Sequence, residues 1–327
     1  MIIEGKARIK GKIKEIVSKN QETFYNPVMK LNRDITIDVL NNYFNKQIKI
    51  ALPLAASGIR AFRIIKEVKQ AEEIYVNDIK KDFEKEIKKG MKLNNIKKEI
   101  HIQSTEANIF LRRNCFFDYI DVDPYGSPMK FMQSAIAKIK HKGIIAITAT
   151  DTSSLAGTYP KVCQRRYWAK PLRNYMKHEI GLRILIRATQ LLGVQQEKAL
   201  IPILSYSKDH YYRVFFKVKH SKSEANNILK KHKKFRKAGP LWTGKLGDEK
   251  LIRKFPESKL YKLLFQDYKS NIIGYYDTHE IGKELKTSVV KKEKILERIK
   301  CYETHFSGSG IRIKSKKELI KIIRQLA

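Results

Sequence analysis

Short apolar segments alternate with helical segments from residue 48 to residue 150, and this alternation limits the fold more than any other feature of the chain. Segments with strand character lie at 48–54, 74–76, 100–103, 117–122 and 143–150. Helical patterns of about 10–15 residues follow most of them, which is typical of a parallel α/β sheet covered by helices.

Two further strands are predicted at 199–205 and 211–219, and the five residues between them are too few for a crossover helix. These two strands must therefore be antiparallel. Five parallel units followed by such a hairpin resemble the class I S-adenosylmethionine-dependent methyltransferase fold, a Rossmann-like seven-stranded sheet. We expect this α/β domain, with an N-terminal basic arm, over residues 1–220, and a smaller α+β domain over 221–327.

The charge of the chain indicates a polyanionic partner. Lys and Arg number 68 and Asp and Glu number 33, which gives a net charge of +35. Nucleic acid is the first candidate and an anionic membrane surface the second. A lysine-rich thermophilic surface predicts that Glu rises with Lys, whereas cations here exceed anions two to one. The C-terminal third has the densest charge, in the run 230–237.

Several classes of protein are excluded or disfavoured by simple patterns. No apolar run is long enough for a membrane span, and residues 1–12 contain no apolar core of a secretory signal. We therefore expect a cytoplasmic protein. Cys115, Cys163 and Cys301 are too few and too far apart for a disulfide framework or a C-x-x-C zinc site, so we expect no metal.

Three strand ends carry residues suited to a nucleoside cofactor, because ligands of open α/β sheets bind beyond the carboxyl ends of the strands. A-A-S-G-I-R at 55–60 allows close backbone approach, Asp78 suits ribose hydroxyls, and Glu106 with Ala107 suits an adenine. Each also has a plain structural reading. These are a tight turn at 55–60, a helix N-cap at Asp78 and an exposed acid at Glu106.

The segment D-V-D-P-Y-G-S-P, residues 121–128, is the strongest motif. In amino-group methyltransferases, a related Asp-Pro or Asn-Pro turn with an aromatic residue follows this strand. An exocyclic amine is a poor nucleophile, and a carboxylate that accepts its N–H polarises the nitrogen and takes the released proton. Asp123 is the candidate carboxylate, Pro124 stiffens the turn and Tyr125 stacks on a base. A simple β-turn is the alternative.

Taken together and in order, several segments resemble the archaeal-type tRNA (guanine(26)-N2)-dimethyltransferase family. The segments are F-Y-N-P-V-M at 24–29, N-R-D at 32–34, A-A-S-G-I-R at 55–60, N-D at 77–78, E-A-N at 106–108, D-P-Y-G-S-P at 123–128, D-T-S-S-L-A-G at 151–157 and G-P-L-W at 239–242. The chain departs from the family pattern at Tyr125, where Phe is common, and at Glu106, where Asp is frequent.

The resemblance implies roles for individual residues. For S-adenosylmethionine, it assigns the methionine carboxylate to Arg33, the ribose to Asp78 and the adenine to Glu106 and Ala107, and it places Arg60 at the same site. Asp123 is the implied catalytic carboxylate, and the Pro124 carbonyl helps to bind the amino group. Phe24 and Tyr125 are implied to sandwich the flipped guanine, in a pocket that Asn26 and Pro27 shape.

The implied activity is transfer of two methyl groups to N2 of guanosine 26 of tRNA. The base must be turned out of the RNA, and the C-terminal domain is implied to grip the tRNA backbone. Residues 210–238 lack the four zinc-binding cysteines of some relatives. We expect no structural zinc and no obligate protein partner. We also expect Trp168 and Trp242 to be packing residues.

Three other functions compete with this hypothesis. An adenine-N6 or ribosomal guanine-N2 methyltransferase is disfavoured by D-P-Y-G and F-Y-N-P. A non-catalytic RNA-binding module predicts loss of Arg33, Asp78 or Asp123, and all three are present. A dinucleotide-dependent oxidoreductase lacks the glycine fingerprint.

Overall fold

The computed structural model describes residues 1–10 and 25–327. The first half of the described chain contains a hairpin and an alternating α/β segment. Its elements are β1 (Ile2–Glu4), β2 (Ala7–Ile9), a 3-10 turn (Pro27–Met29), α1 (Lys30–Tyr43), β3 (Ile48–Leu52), α2 (Ile59–Glu67), β4 (Ala71–Asn77), α3 (Phe83–Leu93), β5 (Ile100–Gln103), α4 (Ala107–Arg113), β6 (Phe117–Val122), α5 (Met129–Lys138) and β7 (Ile139–Ala149).

The second half contains two long strands and a larger number of short elements. They are α6 (Thr152–Leu155), α7 (Pro160–Tyr167), α8 (Lys177–Val194), β8 (Lys198–Lys208), β9 (Tyr211–His220), α9 (Lys222–Leu229), β10 (His232–Phe235), β11 (Ala238–Trp242), α10 (Glu249–Ile252), α11 (Lys259–Ser270), β12 (Tyr276–Asp277), α12 (Thr278–Leu285), α13 (Lys292–Arg298), β13 (Tyr302–Glu303), β14 (Gly310–Arg312) and α14 (Lys316–Leu326).

Seven strands form one sheet in the order β5-β4-β3-β6-β7-β9-β8. The pairs from β5 to β7 are parallel. Two residues join β8 to β9, so these neighbouring strands run antiparallel. The arrangement confirms the predicted seven-stranded sheet with a terminal hairpin, and it brings the carboxyl ends of β3, β4, β5 and β6 to one edge.

The central strand β6 is buried along its whole length although it carries two acids. Buried charges must be paired, and both acids are. Asp118 contacts Lys46 at 3.0 Å and Lys140 at 2.7 Å. Asp121 accepts from the Tyr119 hydroxyl at 2.6 Å. The sheet therefore carries carboxylates in its core, and Asp121 lies near the edge where the strands end.

The chain divides into two compact units that are not contiguous in sequence. Unit 1 comprises 1–149, 192–201 and 215–225, and unit 2 comprises 150–191, 202–214 and 226–327, so β8 and β9 contribute to both. The expected boundary near residue 220 falls inside a segment of unit 1, and the two-domain division at that position stays a prediction.

A buried ionic cluster organises unit 2. Arg312 on β14 is fully buried and contacts Glu179 of α8 at 3.0 Å and Asp267 of α11. Burial alone raises the pKa of Glu179, but the charges of Arg312 and Arg183 lower it below its usual value. A separate apolar core of unit 2 consists of Ile281, Val290, Ile295, Ile311, Ile313, Leu319 and Ile323.

Within residues 1–10 and 25–327, the helices are all too short or too polar to cross a bilayer.

Candidate active site

The turn after β3 requires glycine at one position. Gly58 has φ +75°, and a Cβ placed there lies 2.4 Å from Cδ1 of Ile87 and 3.1 Å from the Phe62 ring. Gly58 precedes α2, and its N–H donates to the Ala55 carbonyl at 2.9 Å. The small residues of A-A-S-G thus form a tight turn, as the structural reading proposed. The turn also leaves the backbone at the strand end open to close approach by a ligand.

Asn77 joins three strand ends, a role that sequence reasoning missed. It is the last residue of β4 and is 1% exposed. Its amide nitrogen donates to the carbonyls of Pro53 at 3.0 Å and Thr105 at 2.9 Å, and its oxygen accepts from the Thr105 N–H at 3.0 Å. The segments after β3, β4 and β5 are therefore fixed to each other. The N-D motif was a signal, but only its Asp was given a role.

Asp78 and Glu106 lie at the ends of the adjacent strands β4 and β5. One oxygen of Asp78 accepts from the Ala56 N–H at 2.9 Å. Glu106 is the N-cap of α4 and accepts from the N–H groups of Asn108 and Ile109. Ala107 is buried behind it. The alternative in which Asp78 caps the next helix is wrong, because α3 begins at Phe83 with a different N-cap.

Arg60 lies against the catalytic candidate, although the two residues are 63 positions apart. Its guanidinium donates to Asp123, to the Thr36 hydroxyl at 2.9 Å and to the Asn32 carbonyl at 3.0 Å. It also lies 3.3 Å from a carboxylate oxygen of Asp121. A guanidinium is always charged, so a fixed cation holds the carboxylate at the end of β6. Sequence reasoning placed Arg60 near the A-A-S-G turn and missed this contact.

The turn after β6 presents an aromatic ring. The side chain of Asp123 is 20% exposed and Pro124 is buried, whereas Tyr125 is 71% exposed. Gly126 has φ +94°, and no atom lies within 4 Å of a Cβ built there. A partly accessible carboxylate followed by an accessible ring can accept a hydrogen bond from a planar amine whose ring stacks on Tyr125.

The N-terminal loop contributes Asn26, Pro27 and Arg33. Asn26 caps the 3-10 turn by accepting from the Val28 N–H at 3.0 Å, and Pro27 is the first residue of that turn. Arg33 is 6% exposed, and its guanidinium donates to both oxygens of Glu4 and to the Asn26 carbonyl. Phe24 lies outside the described residues.

Glu4 forms the centre of a buried ionic cluster that the sequence did not predict. Its carboxylate accepts from Arg33 at 2.7 Å, from Arg63 at 2.9 Å and from the Tyr25 hydroxyl at 2.9 Å. Burial raises the pKa of Glu4, but the two arginines override this effect and lower the pKa to about 2. The acid sits in an alternating basic arm, and no feature of that pattern distinguishes it.

Within 1–10 and 25–327, His, Cys, Asp and Glu form no group of three placed to hold a metal ion.

The comparisons with known proteins agree with this geometry. The family described as N2,N2-dimethylguanosine tRNA methyltransferase matches residues 5–234. An Aquifex aeolicus protein named tRNA (guanine(26)-N(2)/guanine(27)-N(2))-dimethyltransferase is 34% identical, covering 100% of this chain and 96% of its own. A Methanocaldococcus jannaschii tRNA (guanine(26)-N(2))-dimethyltransferase is also 34% identical, with 94% of each chain covered.

A solved structure is similar over nearly the whole length. It is the complex of Trm1 from Pyrococcus horikoshii with S-adenosyl-L-methionine, with a TM-score of 0.86, 33% identity and 99% of each chain covered. The predicted family, fold and enzyme class are confirmed by these matches. The chain therefore belongs to the N2,N2-dimethylguanosine tRNA methyltransferase family.

Proposed function

We propose that the protein transfers methyl groups from S-adenosylmethionine to N2 of guanosine 26 of tRNA, twice in succession, to give N2,N2-dimethylguanosine. The observation that carries the proposal is the position of Asp123. Its carboxylate is partly accessible, follows the buried strand β6 and contacts the buried Arg60. Membership of the family supports the substrate.

Asp123 acts on the amino group of guanine. The nitrogen lone pair is delocalised into the ring, so the free amine is a weak nucleophile. A carboxylate that accepts one N–H returns electron density to the nitrogen and takes the proton as the new N–C bond forms. Arg60 is a positioning residue, because its contacts with Thr36 and Asn32 fix the direction from which it holds Asp123.

The guanine is held by stacking. We propose that Tyr125 covers one face of the flipped base and Phe24 the other, that Asn26 and Pro27 shape the pocket, and that the Pro124 carbonyl accepts from the amino group. The exposure of Tyr125 supports this assignment. A base inside a stacked RNA exposes no amino group to a carboxylate, so the nucleotide must leave the stack.

S-adenosylmethionine supplies an electrophilic methyl group when it is bound. The groups at the strand ends fit its polar parts, because Asp78 and Glu106 offer carboxylates for hydroxyls and an amine, beside the open turn at Gly58. We propose that Asp78 binds the ribose and that Glu106 and Ala107 flank the adenine. Arg33 is proposed for the methionine carboxylate, which must then share the guanidinium with Glu4.

The proposal is tested by incubating the protein with an unmodified tRNA transcript and S-adenosylmethionine, followed by nucleoside mass spectrometry. We expect N2,N2-dimethylguanosine at position 26. Asp123→Asn removes the charge but keeps the shape, and we expect kcat to fall by about 10²–10⁴ with the Kd for S-adenosylmethionine unchanged. Glu257→Gln, which removes an exposed carboxylate paired only locally with Lys262, is the matched control.

Two results contradict the proposal separately. Unchanged turnover in Asp123→Asn removes Asp123 from the mechanism but keeps the substrate. Methyl transfer to another position, or none with bound S-adenosylmethionine and intact tRNA, removes the assigned substrate.

A further inference from the structure

One stretch of unit 2 is free of acids and fully decorated with cations. Residues 152–178 contain no Asp or Glu. The stretch contains six basic residues, all of them exposed: Lys161, Arg165, Arg166, Lys170, Arg173 and Lys177. A local field of one sign attracts a polyanion, and it disfavours the acid-paired surface that an ordinary solvated helix presents.

Two large aromatic rings are exposed within this stretch, one at each end of α7. Tyr159 is 58% exposed and Trp168 is 50% exposed. The expectation that Trp168 is a packing residue is therefore wrong, whereas Trp242 is only 4% exposed, as expected. Trp168 also has φ +51°, in the left-handed region that residues with a side chain rarely adopt. The chain holds an exposed indole in an unfavourable backbone conformation.

Contacts on both sides fix the position of Trp168. On the N-terminal side, the Tyr167 hydroxyl donates to Asp151 at 2.7 Å. On the other side, Lys170 exchanges two backbone hydrogen bonds with Gly239, at 3.0 and 2.8 Å. Arg187 donates to the Trp168 carbonyl at 3.2 Å. A ring that is held in place and left uncovered is pre-organised for a partner.

The bond between Lys170 and Gly239 also brings a second group of cations close to Trp168. Gly239 belongs to β11, which pairs with β10 in a hairpin. That hairpin carries the basic run of the sequence, of which Lys231, Lys233, Lys234, Arg236 and Lys237 are exposed. The exposed indole therefore has cations on two neighbouring segments of the same unit.

Exposed aromatic rings among cations match the chemistry of unpaired nucleic acid. Bases stack on such rings and phosphates contact the Lys and Arg side chains. An apolar protein surface does not need the cations, and an anionic membrane does not need a rigidly held ring. We propose that residues 159–170, the tryptophan platform, contact the tRNA: Trp168 stacks on an unpaired base, and Lys161, Arg165 and Lys170 contact the phosphates beside it. The identity of the RNA rests on the proposed function.

Intrinsic fluorescence tests the stacking directly, because the chain has two tryptophans and one of them is buried. Titration of the protein with unmodified tRNA transcript is expected to quench the emission of Trp168. Trp168→Phe keeps an aromatic ring and is expected to abolish most of the quenching while retaining most of the affinity. Equal fractional quenching in the wild type and in Trp168→Phe overturns the proposal.

Affinity measurements provide the second test. Trp168→Ala is expected to raise the Kd for tRNA by about 5- to 100-fold, and Trp168→Phe by much less, with the Kd for S-adenosylmethionine unchanged in both. Phe116→Ala is the matched control, since Phe116 is 53% exposed beside Lys138 but lies at the start of β6 in unit 1. Its Kd for tRNA is expected to equal that of the wild type.

A triple variant separates stacking from charge. Lys161→Gln, Arg165→Gln and Lys170→Gln together are expected to flatten the salt dependence of tRNA binding by about 0.7–0.9 per lost phosphate contact. If this variant weakens binding but Trp168→Ala does not, the surface is purely electrostatic and the platform proposal is wrong. If neither variant changes the Kd, the tRNA binds elsewhere, and the proposal is wrong as well.

Failure of the platform and failure of the proposed function give different results. Methylation of tRNA with unchanged kcat/KM in Trp168→Ala contradicts the platform alone. Quenching of Trp168 by tRNA without formation of N2,N2-dimethylguanosine contradicts the proposed function alone. If Trp168→Ala does not fold, Trp168→Phe and the quenching of the wild type still decide the question.

Discussion

Single residues at the strand ends divide into those that bear the chemistry and those that hold the site together. Asp123 belongs to the first kind, and its identity follows from the strand and turn around it. Arg60 and Asn77 belong to the second kind, since each is buried and contacts several other segments. Their contacts join positions that are far apart in sequence, and no local pattern predicts which of many polar residues will meet.

Substitution of Asn77 tests the second role. Asn77→Ala leaves the Pro53 carbonyl and both backbone groups of Thr105 without this partner. We expect the free energy of unfolding to fall by about 2–4 kcal/mol and the affinity for S-adenosylmethionine to fall with it. Urea denaturation and calorimetry measure the two effects.

Asn41→Ala is the control for this prediction. Asn41 is exposed and makes one hydrogen bond, to the Glu67 carbonyl, so we expect a change within about 0.5 kcal/mol. If the two variants lose equal stability, Asn77 does not join the strand ends.

Among the elements, the N-terminal hairpin is the least expected part of unit 1. Its strands are only three residues long, and a hairpin of that size is not stable alone. Glu4 supplies the attachment, through Arg33 on α1 and Arg63 on α2. The hairpin therefore depends on one carboxylate remaining charged.

This dependence predicts a response to acid. The pKa of Glu4 is about 2 in the folded protein and 4.5 in a free side chain. Because the folded value is the lower one, its stabilisation is complete above pH 4.5 and is lost as pH falls through about 2. Glu4→Gln should lower the free energy of unfolding by about 3 kcal/mol at pH 7, and the difference from wild type should close over that pH range.

Denaturation curves at a series of pH values provide the measurement. Glu84→Gln, which removes an exposed glutamate of α3, should track the wild type throughout. A difference between Glu4→Gln and wild type that stays constant down to pH 2 contradicts the role given to the Glu4 charge.

Elements with a simple apolar core were predictable from the sequence, and others were not. The strands at 100–103 and 117–122 have the predicted bounds, because each is a single apolar run that ends in polar residues. The seven-residue helix α4 was missed, since it is too short to show a clear period. Trp168 was misjudged because its residue type favours burial, whereas its exposure depends on anchors at Asp151 and Gly239.

At the scale of the whole molecule, the charge of +35 separates two kinds of binding. Binding of tRNA releases condensed cations from many phosphates, whereas S-adenosylmethionine carries little net charge. The two affinities must therefore respond differently to salt.

We expect the Kd for tRNA to rise by about 10³-fold or more between 50 and 200 mM salt, as for proteins with several phosphate contacts. The Kd for S-adenosylmethionine should change less than about twofold. Filter binding and calorimetry at matched salt concentrations measure both. A tRNA affinity as insensitive to salt as that of the cofactor contradicts a role for the cationic surface.

The ionic cluster of unit 2 also sets an order of events during synthesis. Glu179 and Arg312 are 133 positions apart, which the ribosome covers in about 7–27 s at roughly 5–20 residues per second. Until Arg312 emerges, Glu179 has no charge of that strength to bury against, and burial of an unpaired carboxylate is strongly unfavourable. The acid therefore keeps α8 from closing its core early, and unit 2 completes its fold only when nearly the last residue has been made.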